Sequence, residues 1–144
     1  VTGTTVPWWK IGPDDLRAVD LPDEQRSLLI GALIEWGGAT RPTDTVARAM
    51  GFANRGSIHP EHERIRAALT KHEPMSKRDW ARALVATEFV FASSYYGAAG
   101  DWANLTGWSD QHTLSVLRAL QRSLGGLRAP SQFGDGSEQD ALAV

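Results

Sequence analysis

The sequence predicts an all-α domain, a compact bundle of five or six helices around a central apolar helix at about residues 76–96. Three observations carry this. Apolar residues recur at helical spacing in several segments. Helix-opening and helix-closing residues bracket those segments. No strand-like alternation is sustained anywhere in the chain.

Taken in order, Pro13-Asp14-Asp15-Leu16 reads as a short first helix, with proline in the first turn and acids facing the dipole. Asp20-Leu21-Pro22-Asp23 opens a stronger one, with Asp20 as its cap. Leu28, Leu29, Ala32, Leu33 and Trp36 follow on its inner face, and Gly37-Gly38 ends it. Pro42-Thr43-Asp44 begins a third helix that stops at Gly51. Pro60-Glu61 begins a fourth, running through Ile65 and Leu69 to Pro74.

Ser76-Lys77-Arg78-Asp79 matches a capping box, a hydroxyl followed three residues later by an acid. The helix behind it has Trp80, Leu84 and Phe91 on one stripe and Val85 and Phe89 on another, which marks a buried centre. Ser109-Asp110 opens the last long helix, with Leu114, Leu117, Leu120 and Leu124 expected inward and Gly125-Gly126 as the stop. One domain spans 1–126, with an irregular arm at 1–12. Residues 127–144 have the Pro, Gly, Ser and acid content of a flexible tail, with Phe133 its single large apolar group.

The composition excludes some chemistry. There is no cysteine, hence no disulfide and no thiolate ligand. No apolar run reaches the ~18–20 residues of a membrane span, and no basic-then-apolar leader opens the chain. A cytoplasmic location is the expectation. The net charge of −2 gives no global attraction to nucleic acid. Residues 41–82 are locally basic, with nine cationic and five acidic side chains, net +4.

The candidate site lies in EFVFASSYYGAAGDWANLTGW, residues 88–108. Glu88 is an acid inside an apolar run, and a buried carboxylate must be paired, hydrogen-bonded or protonated. The structural reading pairs it with Arg118 or Arg122. The functional reading makes it a pocket acid with Ser94, Tyr95, Tyr96 and Asp101 nearby. Gly97 and Gly100 either admit another helix or end this one. Trp102 and Trp108 bracket a short loop. Of twelve aromatic residues six are tryptophan, a residue that anchors cores and interfaces alike. Trp36, Trp80 and Trp102 read as core. Trp8-Trp9 either clamps the arm to the bundle or offers an apolar patch to a partner.

His59, His62 and His72 suggest a metal at first sight, with His59 and His62 one turn apart and Glu63 beside them, a spacing that metal sites use; no second ligand cluster accompanies them, and a solvated helix start is the better reading. No metal and no cofactor is expected. No phosphate-binding, dinucleotide or nucleophile-elbow motif is present. Residues 43–69 have helix-turn-helix form, yet the turn is long and the second helix opens with acids, which suits DNA poorly.

The run KRDWARALVATEFVFAS, followed by GDW, TGWSD and TLSVLRALQR, resembles an uncharacterised actinobacterial family of small helical proteins. The resemblance covers roughly residues 20–125 and implies a bacterial protein, with no activity attached. The expected function is a non-catalytic binding or regulatory protein acting through protein contacts or self-association. The alternatives are a small-molecule-binding domain with its pocket at Glu88, and a DNA-binding regulator using 43–69. The discriminating features are an exposed tryptophan patch for the first, a closed apolar cavity at Glu88 for the second, and a basic face of Arg48, Arg55, Arg64 and Arg66 for the third.

Overall fold

The structure, a computed structural model, describes residues 6–38 and 40–129. Six α-helices make up most of it: α1 (Asp23–Glu35), α2 (Asp44–Ala49), α3 (Ile58–Thr70), α4 (Lys77–Ala92), α5 (Trp102–Thr106) and α6 (Asp110–Ser123). The all-α expectation holds. Two two-residue strands, β1 (Leu16–Arg17) and β2 (Met75–Ser76), pair antiparallel, with Leu16 opposite Ser76 and Arg17 opposite Met75.

α1 and α4 form the central pair, and α1 also packs on α3 and α6. Both are buried around most of their circumference. α1 buries Leu28, Leu29, Ala32 and Leu33, and α4 buries Trp80, Ala83, Leu84, Ala86 and Val90. Each fully buried leucine of this set contributes about 1.5–3 kcal/mol. Thr87, within the same face of α4, satisfies its hydroxyl on the Ala83 carbonyl. Arg26 is buried too, and donates from Nη1 to the Leu69 carbonyl at 2.9 Å, at the C-terminal end of α3 where a cation is favoured.

The caps explain where the helices start. Thr43, Ser76 and Ser109 each accept a hydrogen bond from the amide three residues on. The segment after the arm completes the cap of α4. The carbonyls of Asp15 and Pro13 accept from the amides of Lys77 and Arg78, so the three leading amides of that helix are all satisfied.

Several expected boundaries differ. Residues 13–16 form a turn leading into β1 and no helix, because Asp15 folds back to accept from the Gly12 amide. Pro22, not Asp20, occupies the cap position of α1 and makes no side-chain cap. α3 begins two residues before Pro60, at Ile58. α4 stops at Ala92 and not at 96: Ser93 is extended, and Gly97 then tucks against the helix end. In α6, Leu114 is 44% exposed, and Thr113 and Val116 point inward with Leu117 and Leu120. Leu127, placed in the tail by sequence, packs partly buried on the core; residues 130–144, including Phe133, lie outside the described residues.

Candidate functional site

Glu88 sits on α4, half-buried, at the edge of a shallow, open depression of about 350 Å³ with Val85, Phe89, Ala92 and Ser93. Its Oε2 accepts from the Gln121 amide of α6 at 2.7 Å, and Gln121 Oε1 in turn accepts from Arg118 at 2.8 Å. The expected direct arginine or tyrosine partner is therefore replaced by a neutral amide that stands between Glu88 and Arg118. The acid is not deeply buried, because its face of α4 meets only the outer edge of α6.

The rest of that stretch does not converge on Glu88. Tyr95 is exposed and packs edge-on against the half-buried Tyr96. Asp101 faces solvent. Trp102 is core: it meets Phe91 edge-on, and its indole N–H donates to Thr113 Oγ1 at 2.8 Å. Trp108 is half-buried beside His112 and lines, with Trp102 and Ile34, a small depression of about 150 Å³ on the other side. Trp36 and Trp80 are core as expected, their indoles donating to the carbonyls of Ala86 and Arg17.

The two tryptophans of the arm divide the two roles considered for them. Trp8 is 3% exposed and lies under the Arg17 guanidinium, 4.0 Å from its ring centre. The buried Lys77 ammonium donates to the carbonyls of Trp8 at 2.7 Å and Ile11 at 3.1 Å, which pins the arm over the start of α4. Trp9 is 65% exposed, with Lys10 over its ring. Beside them opens a cleft of about 440 Å³ whose apolar lining is Val6, Ile11 and Leu16 and whose charges are Lys10, Asp15 and Arg17. Leu16 is 70% exposed. One guanidinium nitrogen of Arg17, Nη1, is buried without a hydrogen-bond partner, and desolvation lowers the pKa of the group. Leu16, which the sequence places at the end of a short helix, and Arg17, which it does not single out, form β1 instead; nothing in the local pattern announces a two-residue strand.

The basic segment 41–82 pairs part of its charge internally. Arg64 bonds Asp79 through Nη1 at 2.7 Å and Nη2 at 3.0 Å, and also Glu61. Arg82 reaches Asp79 at 3.1 Å, and Arg66 pairs with Glu63. Burial alone would raise the Asp79 pKa, but the hydrogen bonds and charges of Arg64 and Arg82 outweigh it and hold the carboxyl below its usual range. The Asp79 hydrogen bond likewise raises Arg64. Arg48 and Arg55 are exposed, but the four arginines do not make an uncompensated face. Residues 50–57 separate α2 from α3, longer than a helix-turn-helix turn.

His62 overturns its expected place. It is no part of a solvated helix start: it is 3% exposed, packed edge-on against Trp36 and Phe52. Ile58, Ile65 and Leu69 stand four before, three after and seven after it, so its apolar face was legible in the spacing. Among the described residues, no group of three or more His, Asp or Glu is arranged to hold a metal ion. Comparison of the chain with family models, with characterised proteins and with solved structures found no match.

Proposed function

We propose that this domain is a non-catalytic binding protein acting through protein contacts, and that its contact surface is the arm cleft. One observation carries the reading. Trp9 and Leu16 are exposed large apolar groups held on a backbone that Trp8, Lys77 and Trp80 anchor firmly to the bundle. A rigidly presented tryptophan has the character of an interface anchor, because little ordering entropy remains to be lost on association.

The occupant that fits is a segment of another protein with an apolar side chain next to a carboxylate. Val6, Ile11 and Leu16 offer the apolar contact, and Lys10 and Arg17 offer two cations. Asp15 is already engaged by the Gly12 amide, so it opposes an incoming acid less than a free carboxylate would. The DNA-binding alternative has weaker support, because Arg64 and Arg66 are bound to acids. The pocket alternative at Glu88 has weaker support as well, because the depression there is open.

Selection of a random peptide library on the immobilised protein tests this. The expected winners share an apolar residue beside an acid and lose binding to Trp9→Ala, Leu16→Ser and Lys10→Glu, all at exposed positions. Winners that bind these variants as well as the parent, or no enrichment at all, would overturn it. Sedimentation of the unliganded protein shows whether the occupant is instead a second copy of the chain.

A further inference from the structure

Between the end of α1 and the start of α3 lies a further cavity of about 290 Å³, which shares no residue with the arm cleft. Leu33, Ile34, Trp36 and Ile58 give it apolar walls. His62 forms part of the wall, and neither of its ring nitrogens has a hydrogen-bond partner of ordinary geometry. The Leu33 carbonyl is the one backbone acceptor that acts on the ring; buried polar atoms paired so poorly cost stability, and a fold under no other demand does better with an apolar ring there. Phenylalanine would suit the same edge-on packing against Trp36 and Phe52. Groups that the fold would rather lose mark functional positions.

The chemistry of the wall narrows the ligand. A neutral imidazole offers one donor and one acceptor, which a hydroxyl or an amide can match. Arg66 at the rim is already paired with Glu63, and His59 is the other polar side chain of the lining besides His62, so no unpaired arginine or lysine there invites an anion. Burial holds His62 neutral, with its pKa lowered to about 4.

We propose that this cavity binds a small uncharged molecule with an apolar body and one hydroxyl or amide group, and that His62 is the residue that engages that group. The ring nitrogens are closed off from solvent, so binding includes a turn of the imidazole about χ2 that presents one of them to the cavity.

Benzyl alcohol, toluene and benzoate are matched probes of one size. Nitrogen-detected NMR of the histidine rings at pH 7 is the readout. Benzyl alcohol should move the His62 resonances and bind roughly fivefold more tightly than toluene, the scale of one neutral hydrogen bond. Benzoate should bind more weakly than the alcohol. His62→Phe should stay folded and lose the preference for alcohol over toluene. Silence at His62 with all three probes, equal binding of alcohol and toluene, or benzoate as the tightest would each overturn the proposal. The wild-type spectra decide the matter even if the variant does not fold.

Discussion

The side-chain amide of Gln121 donates to the Glu88 carboxylate over 2.7 Å, and Arg118 reaches that acid only through Gln121. A half-exposed contact of this kind, in which the acid meets a neutral amide and no cation, is replaceable. Glu88→Gln keeps an oxygen in place for Gln121 and leaves no buried cation behind. The expected loss is below ~1 kcal/mol in urea unfolding, within the range of one hydrogen bond. A loss near the ~3–5 kcal/mol of a broken buried ion pair would mean that the charge itself holds α4 to α6.

Trp8 and Trp9 should separate cleanly. Trp8 is in the core under Arg17, so Trp8→Ala should cost about 3–5 kcal/mol, as other buried tryptophans do. Trp9→Ala should stay within about 0.5 kcal/mol of the parent, as exposed positions generally do. The double variant should unfold like Trp8→Ala alone. Denaturant melts of the three proteins check this, and a large cost at Trp9 would remove it from the contact surface and return it to the arm's anchorage.

Gly97 is where the chain folds back on the end of α4. A Cβ there would stand 2.6 Å from the Phe89 carbonyl oxygen and 2.8 Å from those of Val90 and Ser93. Those atoms are backbone and cannot swing aside. Gly97→Ala should therefore destabilise by at least the ~1–3 kcal/mol of an overpacked core. Gly100, with nothing within 4 Å of such a Cβ, should accept alanine without a comparable loss. Equal melting temperatures for the two variants would show that the loop relaxes freely.

The fold was legible where chemistry is local. The Ser76 and Ser109 caps, the apolar spacing of α1 and the stop at Gly125-Gly126 all stand in a few consecutive residues, and the structure has them. What stayed hidden is long-range. Residues 13–17 become a cap for α4 and an edge for Met75–Ser76 only because the chain returns there some sixty residues later. The candidate site followed the same division. Trp102 was read correctly as core from its sequence context, whereas the cleft beside Trp9 needs Leu16 and Arg17 brought to the arm by strand pairing. His62 is the exception, since its neighbours at helical spacing already placed it inward and its charge class obscured that.

Acid should destabilise the protein in two separate steps. Burial is the main cause that lowers His62 to about 4 from 6.5; His59 on the same helix and Arg82 on α4 add to it, while Glu61 and the Leu33 carbonyl of α1 oppose it. The unfolded chain thus binds the proton more readily than the folded one between those values. Stability from this group is complete above pH ~6.5 and is lost as pH falls toward ~4, by about 3 kcal/mol in all. Asp79 behaves as a depressed carboxyl, so its share is present above the ordinary value of 3.8 and disappears only below it. Urea unfolding at a series of pH values from 8 to 3 should show both steps in the parent. His62→Phe should remove the upper step, keep the lower one, and be at least as stable as the parent at pH 7, since it deletes two buried nitrogens that lack a hydrogen bond of ordinary geometry. A parent whose stability is flat from pH 7 to 4.5 would mean that His62 finds a proton acceptor or water that holds its charge in the folded state.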